Sequence, residues 1–284
     1  MVKDYYQLAK PGIIYGNALT ASAGFLLASK GHIRLGLFLA MLGGLSLIIA
    51  SACAFNNYID RSIDAKMKRT RNRALVSRAI SAPRALVYAS FLGIAGAAIL
   101  GLYTNWLALL VALGAFFVYV VLYGIWKRRT AYGTLIGALA GAAPPVVGYS
   151  AAAHRLDGGA LILFLILMFW QMPHFLAISI YRFKDYKAAS LPVWPVKKGL
   201  PSTKVNMLAY VIAFMAATTA LFIFGYAGIV YLVVATALGL AWLWRCAEGF
   251  TATDDQLWAR GVFRFSLVVI TLLSVMIAVD AAGR

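Results

Sequence analysis

Apolar runs long enough to cross a bilayer alternate with short polar segments along almost the whole chain. A helix needs about 18 or more apolar residues to span roughly 30 Å of hydrocarbon. Nine stretches reach that length: 11–29, 36–56, 85–103, 106–126, 132–152, 159–180, 205–225, 227–247 and 263–281. Only Gly225-Tyr226-Ala227-Gly228 divides the seventh from the eighth. The pattern predicts an all-α fold, a polytopic membrane bundle of about nine transmembrane helices around a central cavity. Residues 1–10 are polar and the first apolar run is of full spanning length, so no cleavable signal segment is expected.

The cavity is expected from residues that interrupt the helices. Gly137, Gly141, Ala142 and Ala143 would let neighbouring helices approach closely. Pro144 and Pro145 are expected to break the fifth run and Pro173 the sixth. Backbone groups freed inside a membrane persist only where protein or a lined cavity satisfies them; a harmless kink is the alternative for any one proline. The chain is read as one domain over 1–284. Two acidic motifs close the second and sixth runs, four helices apart, which suggests pseudo-halves of about 11–129 and 130–248 and a ninth helix over 262–281.

Composition agrees with the pattern: 63% of the 284 residues are hydrophobic and 12% charged, far from the balance of a soluble domain. The net charge of +17 is distributed unevenly. With the N-terminus cytoplasmic and the C-terminus outside, all of the 26 Lys and Arg residues except Lys30, Arg34, Arg155 and Arg284 fall on the inner side. That bias absorbs the charge, so no nucleic-acid partner is needed, and anionic membrane lipid is its natural neighbour. Cys53 and Cys246 lie within apolar runs and are read as buried free thiols. A bacterial cytoplasmic (inner) membrane or an organelle equivalent fits.

Against this background nine acidic residues stand out. Asn56, Asp60 and Asp64 recur every four residues and form one oxygen-rich stripe on a helix. Such a stripe suits Mg2+, which takes oxygen ligands and completes its shell with water and substrate phosphates. Arg69, Arg73, Lys68 and Arg71 follow at once, and guanidinium groups grip phosphate oxygens in pairs. The competing explanation is a positive-inside loop. In the second motif, Tyr181 to Asp185, the carboxylate is a candidate ligand of a second Mg2+ or else fixes Lys184, a candidate phosphate contact, in place. Lys127 closes the fourth run beside Tyr119 and Tyr123, whose rings either belong to an interfacial aromatic belt or stabilise a cationic intermediate. Lys198 and Lys204 serve either as anion contacts or as ties to lipid. His32 and His154 are placed in outer loops, with surface roles or, as the alternative, facing the outer end of the cavity.

The runs Asn56 to Asp64, Met67-x-Arg69-Thr70-x-x-Arg73, Tyr132-Gly133-Thr134, Gly141 to Pro145, Trp170-Gln171-Met172-Pro173-His174-Phe175 and Phe183 to Tyr186 together resemble the protohaem IX farnesyltransferases, or haem O synthases, of the intramembrane UbiA-type prenyltransferase superfamily. The resemblance covers nearly the whole chain. It implies farnesyl transfer from farnesyl diphosphate to a vinyl group of haem b with addition of water, Mg2+ as cofactor, and haem A synthase or a terminal oxidase downstream. It implies catalytic roles for Asn56, Asp60, Asp64 and Asp185, all as metal ligands, and substrate contacts from Arg69, Arg73, Lys68, Arg71, Lys127, Tyr123, Tyr181 and Lys184. His174 becomes the candidate haem contact, as axial ligand or propionate partner; a histidine bonded between helices is the alternative. Ser62 and Ala74 stand where that family usually has Asp and Pro, and Ala189 where other branches carry a further carboxylate. Ser62 is expected to point away from the metal stripe.

Three other functions share parts of this pattern. An aromatic (quinone-type) polyprenyltransferase would use the same metal motif on a phenolic acid, but has no use for the Trp170–Phe175 segment. A transporter of an anionic solute would keep the kinked helices and basic mouth without carboxylates spaced four apart. A haem chaperone without catalysis finds its only hint in Ser62.

Overall fold

The computed structural model describes residues 2–282 and is helical throughout, with no strand among the described residues. Nine of the described helices are long and apolar enough to cross a membrane. We label them α1 (Pro11–Ser29), α2 (Leu35–Asp64), α3 (Ala82–Tyr103), α4 (Trp106–Trp126), α5 (Gly133–Ala153), α6 (Gly158–Tyr181), α7 (Leu200–Ile223), α8 (Ile229–Phe250) and α9 (Asp255–Ala282). Short helices at Val2–Leu8, Phe183–Ala188 and Trp194–Lys198 accompany them. The expected outer placement of Arg284 lies outside the described residues.

Each apolar run became one spanning helix, and the differences lie at the ends. Helix α2 runs eight residues past the apolar limit at 56, so the whole acidic stripe is helical. Helix α9 begins at Asp255, because Asp254 caps it: its carboxylate accepts from the Gln256 and Leu257 amides at 2.8 and 3.0 Å. Asn105 caps α4 by accepting from the Ala108 amide at 2.9 Å, while its amide group donates to the free carbonyls of Ser150 and Ala151 at 2.8 and 3.2 Å. One side chain thus satisfies two helix ends at the same membrane face.

Packing is tightest where side chains are absent. A Cβ on Gly96 would fall 2.7 Å from the Gly44 carbonyl, so α2 and α3 meet backbone to backbone, and the Ser51 hydroxyl adds a 2.6 Å bond to the Ala89 carbonyl. Gly24 and Gly148 allow the same approach between α1 and α5. Helix α5 is interrupted at Ala142, immediately before Pro144 and Pro145, as expected. Pro173 is a correction: α6 remains one helix from Gly158 to Tyr181, its flanks clamped by α7 and α9. Cys53 and Cys246 are buried and free.

Candidate active site

The bundle encloses a cavity of about 1170 Å³ lined by residues from α1, α2, α4, α5, α6 and α9. Pockets for a single drug-sized ligand measure roughly 300–1,000 Å³, so there is room for two substrates or one large one. Its inner end is charged and its deeper walls are apolar, with Leu45, Ile48, Ile49, Ala112 and Phe116 on one side.

Asn56, Asp60 and Asp64 all reach this cavity. They do so from the last three turns of α2, where exposed carbonyls make the helix end negative and carboxylates are unfavourable. Cations answer them. The Lys127 ammonium donates to Asn56 Oδ1 at 2.7 Å and to Asp60 Oδ2 at 2.6 Å. Arg128 reaches Asp60 Oδ1 at 3.4 Å. Arg73 Nη1 donates to Asp64 Oδ2 at 2.7 Å and to Asn57 Oδ1 at 3.0 Å. Asn57 in turn donates to the Leu8 carbonyl at 2.9 Å, which fixes the N-terminal helix against α2. Asp64 is 2% exposed, and the Thr70 hydroxyl donates to its carbonyl at 2.9 Å, folding the basic loop back over it.

The oxygens of Asn56 and Asp60 therefore converge on one cation position, taken by Lys127 Nζ. A hard divalent ion asks for the same donor set, so the residues fit one. Burial pushes the Lys127 pKa below the usual lysine value, against the pull of Asp60. Tyr123 lies under that ammonium, 4.8 Å from ring centre to Nζ, and stacks on Tyr119 at 5.5 Å. A π-helical turn at Val118–Tyr123 alters the register of α4 at this point. Gly137 on α5 leaves the space the Tyr123 ring occupies, since a Cβ there would sit 3.1 Å from it.

The remaining sequence candidates divide. Arg69, Tyr181 and His174 line the cavity with those above. Lys68 and Arg71 are exposed and off the cavity wall, because the turns over 64–73 bury every third residue, Asp64, Met67 and Thr70, and leave those between them exposed. Lys184 is exposed and borders a separate surface depression with Asp254 and Asp255. Asp185 is partly exposed in the first turn of Phe183–Ala188 and is not among the cavity residues. Among the described residues no three acidic, His or Cys side chains are grouped as metal ligands. Lys204 donates to the Gly249 carbonyl at 2.6 Å and pairs with Asp255, which makes it a strut between α7 and α9. Ser62 is exposed, away from the stripe as expected.

Other cavity residues were not singled out in the sequence. Arg182 and Asn72 are two. A third is Lys10, at the break between the N-terminal helix and α1, with left-handed φ 54° and ψ 68°. The following Pro11 disfavours helical geometry at Lys10, so the Lys-Pro pair was the available signal. Burial pushes the Lys10 pKa down. Deeper in, His174 is stacked on Trp170 and bonded to Ser266 of α9 at 2.7 Å.

A membrane bundle whose cavity carries a carboxylate stripe and a basic rim is the architecture of one class of proteins, and the family comparison agrees: residues 17–268 match the UbiA prenyltransferase family, to which the chain belongs. Within it, the chain is 55% identical over 282 residues to a protoheme IX farnesyltransferase of Sodalis glossinidius (strain morsitans), covering 99% of this chain and 95% of that one. It is 54% identical over 281 residues to the protein of that name from Yersinia pseudotuberculosis serotype O:1b, again covering 99% and 95%. Among solved structures, a digeranylgeranylglyceryl phosphate synthase superposes with a TM-score of 0.82 at 19% identity, covering 100% of this chain and 99% of that one. A UbiA homologue from Archaeoglobus fulgidus bound to GPP and Mg2+ gives 0.73 at 18% identity, covering 97% and 99%. These structural likenesses establish the fold.

Proposed function

We propose that the protein is a Mg2+-dependent protohaem IX farnesyltransferase, joining the farnesyl group of farnesyl diphosphate to a vinyl group of haem b and adding water to give haem O. The observation that carries the reading is the convergence of Asn56 and Asp60 oxygens on one cation position in a cavity large enough for two substrates. Relatives over 50% identical along nearly the full chain bear the name of that enzyme. An aromatic prenyltransferase or an anion transporter is not favoured by them.

Asn56, Asp60 and Asp64 would hold the metal ion, which when bound neutralises charge on the leaving diphosphate. Arg69, Arg73, Lys127, Lys10 and Arg182 supply cationic donors for the same oxygens. Breaking the allylic C–O bond sends its electron pair to the diphosphate and leaves the farnesyl carbon electron-deficient. Tyr119 and Tyr123 present ring faces that stabilise that positive charge. The vinyl π-electrons form the new C–C bond, and water takes up the positive centre left beside the porphyrin, losing a proton to give the hydroxyl. The farnesyl tail lies against the apolar wall of α2 and α4, which limits water near the cation.

The bundle resides in the bacterial cytoplasmic membrane with its N-terminus cytoplasmic and C-terminus outside, so that the diphosphate end of the cavity opens to the cytoplasm. Its product passes to a haem A synthase or a terminal oxidase. The decisive experiment incubates membranes containing the protein with haem b, farnesyl diphosphate and Mg2+, and analyses extracted haem by chromatography and mass spectrometry. A more hydrophobic haem, heavier than haem b by one farnesyl and one hydroxyl group, is expected. Farnesylation of a phenolic acid with haem b left unchanged overturns the reading.

A further inference from the structure

On the α6 wall of the cavity, one side chain is prepared for a ligand that the metal site does not use. His174 on α6 is 8% exposed and lines the cavity. Its Nδ1 lies 2.7 Å from Ser266 Oγ on α9. The Ser266 hydroxyl has a single proton and donates it to the Phe263 carbonyl at 2.6 Å. It can therefore only accept from His174, which fixes the proton on Nδ1 and leaves the lone pair on Nε2. Among the described residues Nε2 has no hydrogen-bond partner, and it is not one of the protein-enclosed polar atoms left unsatisfied. It is open to the cavity.

The ring is held in place. Trp170, one turn earlier on α6, stacks on it with centroids 4.7 Å apart, and Phe263 packs against it at 5.0 Å. Trp170 Nε1 donates to the Ser266 carbonyl at 2.8 Å, so Ser266 anchors both rings. An imidazole that donates Nδ1–H to a protein oxygen and offers Nε2 outward is the form that binds metal. The hydrogen-bond partner here is neutral, and a protonated imidazole would be charged in an apolar wall without a counter-ion, which disfavours a proton-transfer role. Proximal histidines of this kind bind haem iron.

We propose that His174 Nε2 is the axial ligand through which the cavity holds the iron of its haem substrate, with Ser266 as the positioning residue that sets the tautomer. The inference rests on the haem-binding half of the proposed function. Coordination would fix the porphyrin, and with it the vinyl group to be alkylated, at a set place relative to the diphosphate end.

The test titrates haem b into purified wild-type protein, His174→Ala, His174→Gln and Ser266→Ala, and reads absorption, electron paramagnetic resonance and resonance Raman spectra. The wild type should show nitrogen-ligated iron. Both His174 variants should lose that signature, and imidazole added to His174→Ala should restore it. Ser266→Ala should keep ligation with a shifted iron–histidine stretch and a haem affinity about tenfold weaker. Mn2+ binding at the Asp60 end serves as the folding control, and His174→Gln keeps a donor for Ser266 where His174→Ala unfolds. Haem bound to His174→Gln with the wild-type spectrum overturns the ligand assignment while leaving the function intact. Wild type that binds no haem overturns both.

Discussion

The two acidic motifs have nearly the same local sequence logic and different fates. Asp60 and Asp64 lie in the last turns of α2, at the negative end of a long helix, and both face the cavity. Asp185 lies in the first turn of Phe183–Ala188, where free amides welcome a carboxylate, and lies off the cavity wall. The first position is electrostatically costly and is held by Lys127, Arg128 and Arg73. The second is comfortable without any ligand. Acids placed against their helix dipole, with cations assembled around them, are the better candidates for chemistry.

The comparison breaks most visibly at its first member. Asp60→Ala and Asp64→Ala should each lower farnesyl transfer by about 10²- to 10³-fold, and each should lower Mn2+ affinity measured by electron paramagnetic resonance. Wild-type turnover in Asp60→Ala would remove the α2 stripe from the reaction.

Arg73→Ala tests the same motif through its partner. It leaves the Asp64 carboxylate, 3% exposed, without its cation. Stripping one partner from a fully buried pair costs about 3–5 kcal/mol; with Arg73 28% exposed we expect about 2 kcal/mol, read as a lower thermal midpoint in detergent. Arg73→Lys should recover most of the stability but raise the KM for farnesyl diphosphate, because an ammonium does not reproduce the paired donors of guanidinium.

How far the sequence reached follows the same division. A spacing of four puts Asn56, Asp60 and Asp64 on one face whatever the helix packs against, and nine apolar runs had no alternative to nine helices. Local pattern does not say how an element is rotated within the bundle. For that reason Asp185 and Lys184 were grouped with the metal stripe, and Lys68 and Arg71 with Arg69 and Arg73, although the structure turns them outward. Pro173 was expected to break α6, but packing by α7 and α9 keeps the helix intact. Ser266 stands 92 residues from His174 and carried no signal, since a serine in an apolar helix is ordinary until its partner is known.

A smaller effect distinguishes the stand-in cation from a structural one. Lys127→Met removes the ammonium that occupies the Asn56–Asp60 position. Without prenyl diphosphate, Mn2+ should then bind about tenfold more tightly, since displacing a charge-assisted pair costs on the order of 1.5–3 kcal/mol. Turnover should fall nonetheless, because a donor to the diphosphate is gone. Weaker Mn2+ binding would make Lys127 a support of the site and not a competitor for it.

The smallest expected effect bears most directly on the difference between the motifs. Asp185→Asn keeps side-chain shape and the ability to accept from a first-turn amide, and it removes one negative charge from a partly exposed position. If Asp185 acts only at the start of its short helix, the loss is about 0.3–1 kcal/mol of local stability, and Mn2+ affinity and turnover stay within about twofold of wild type. A second metal ligand would behave otherwise: charge removal there should cost as much as at Asp60, because a divalent ion depends on the carboxylate charge. Measuring Mn2+ stoichiometry in Asp60→Ala, Asp185→Asn and the double variant separates the cases. Loss of one bound ion in Asp185→Asn would place both motifs at a shared two-metal centre, requiring the 181–188 segment to swing toward the cavity when substrate binds.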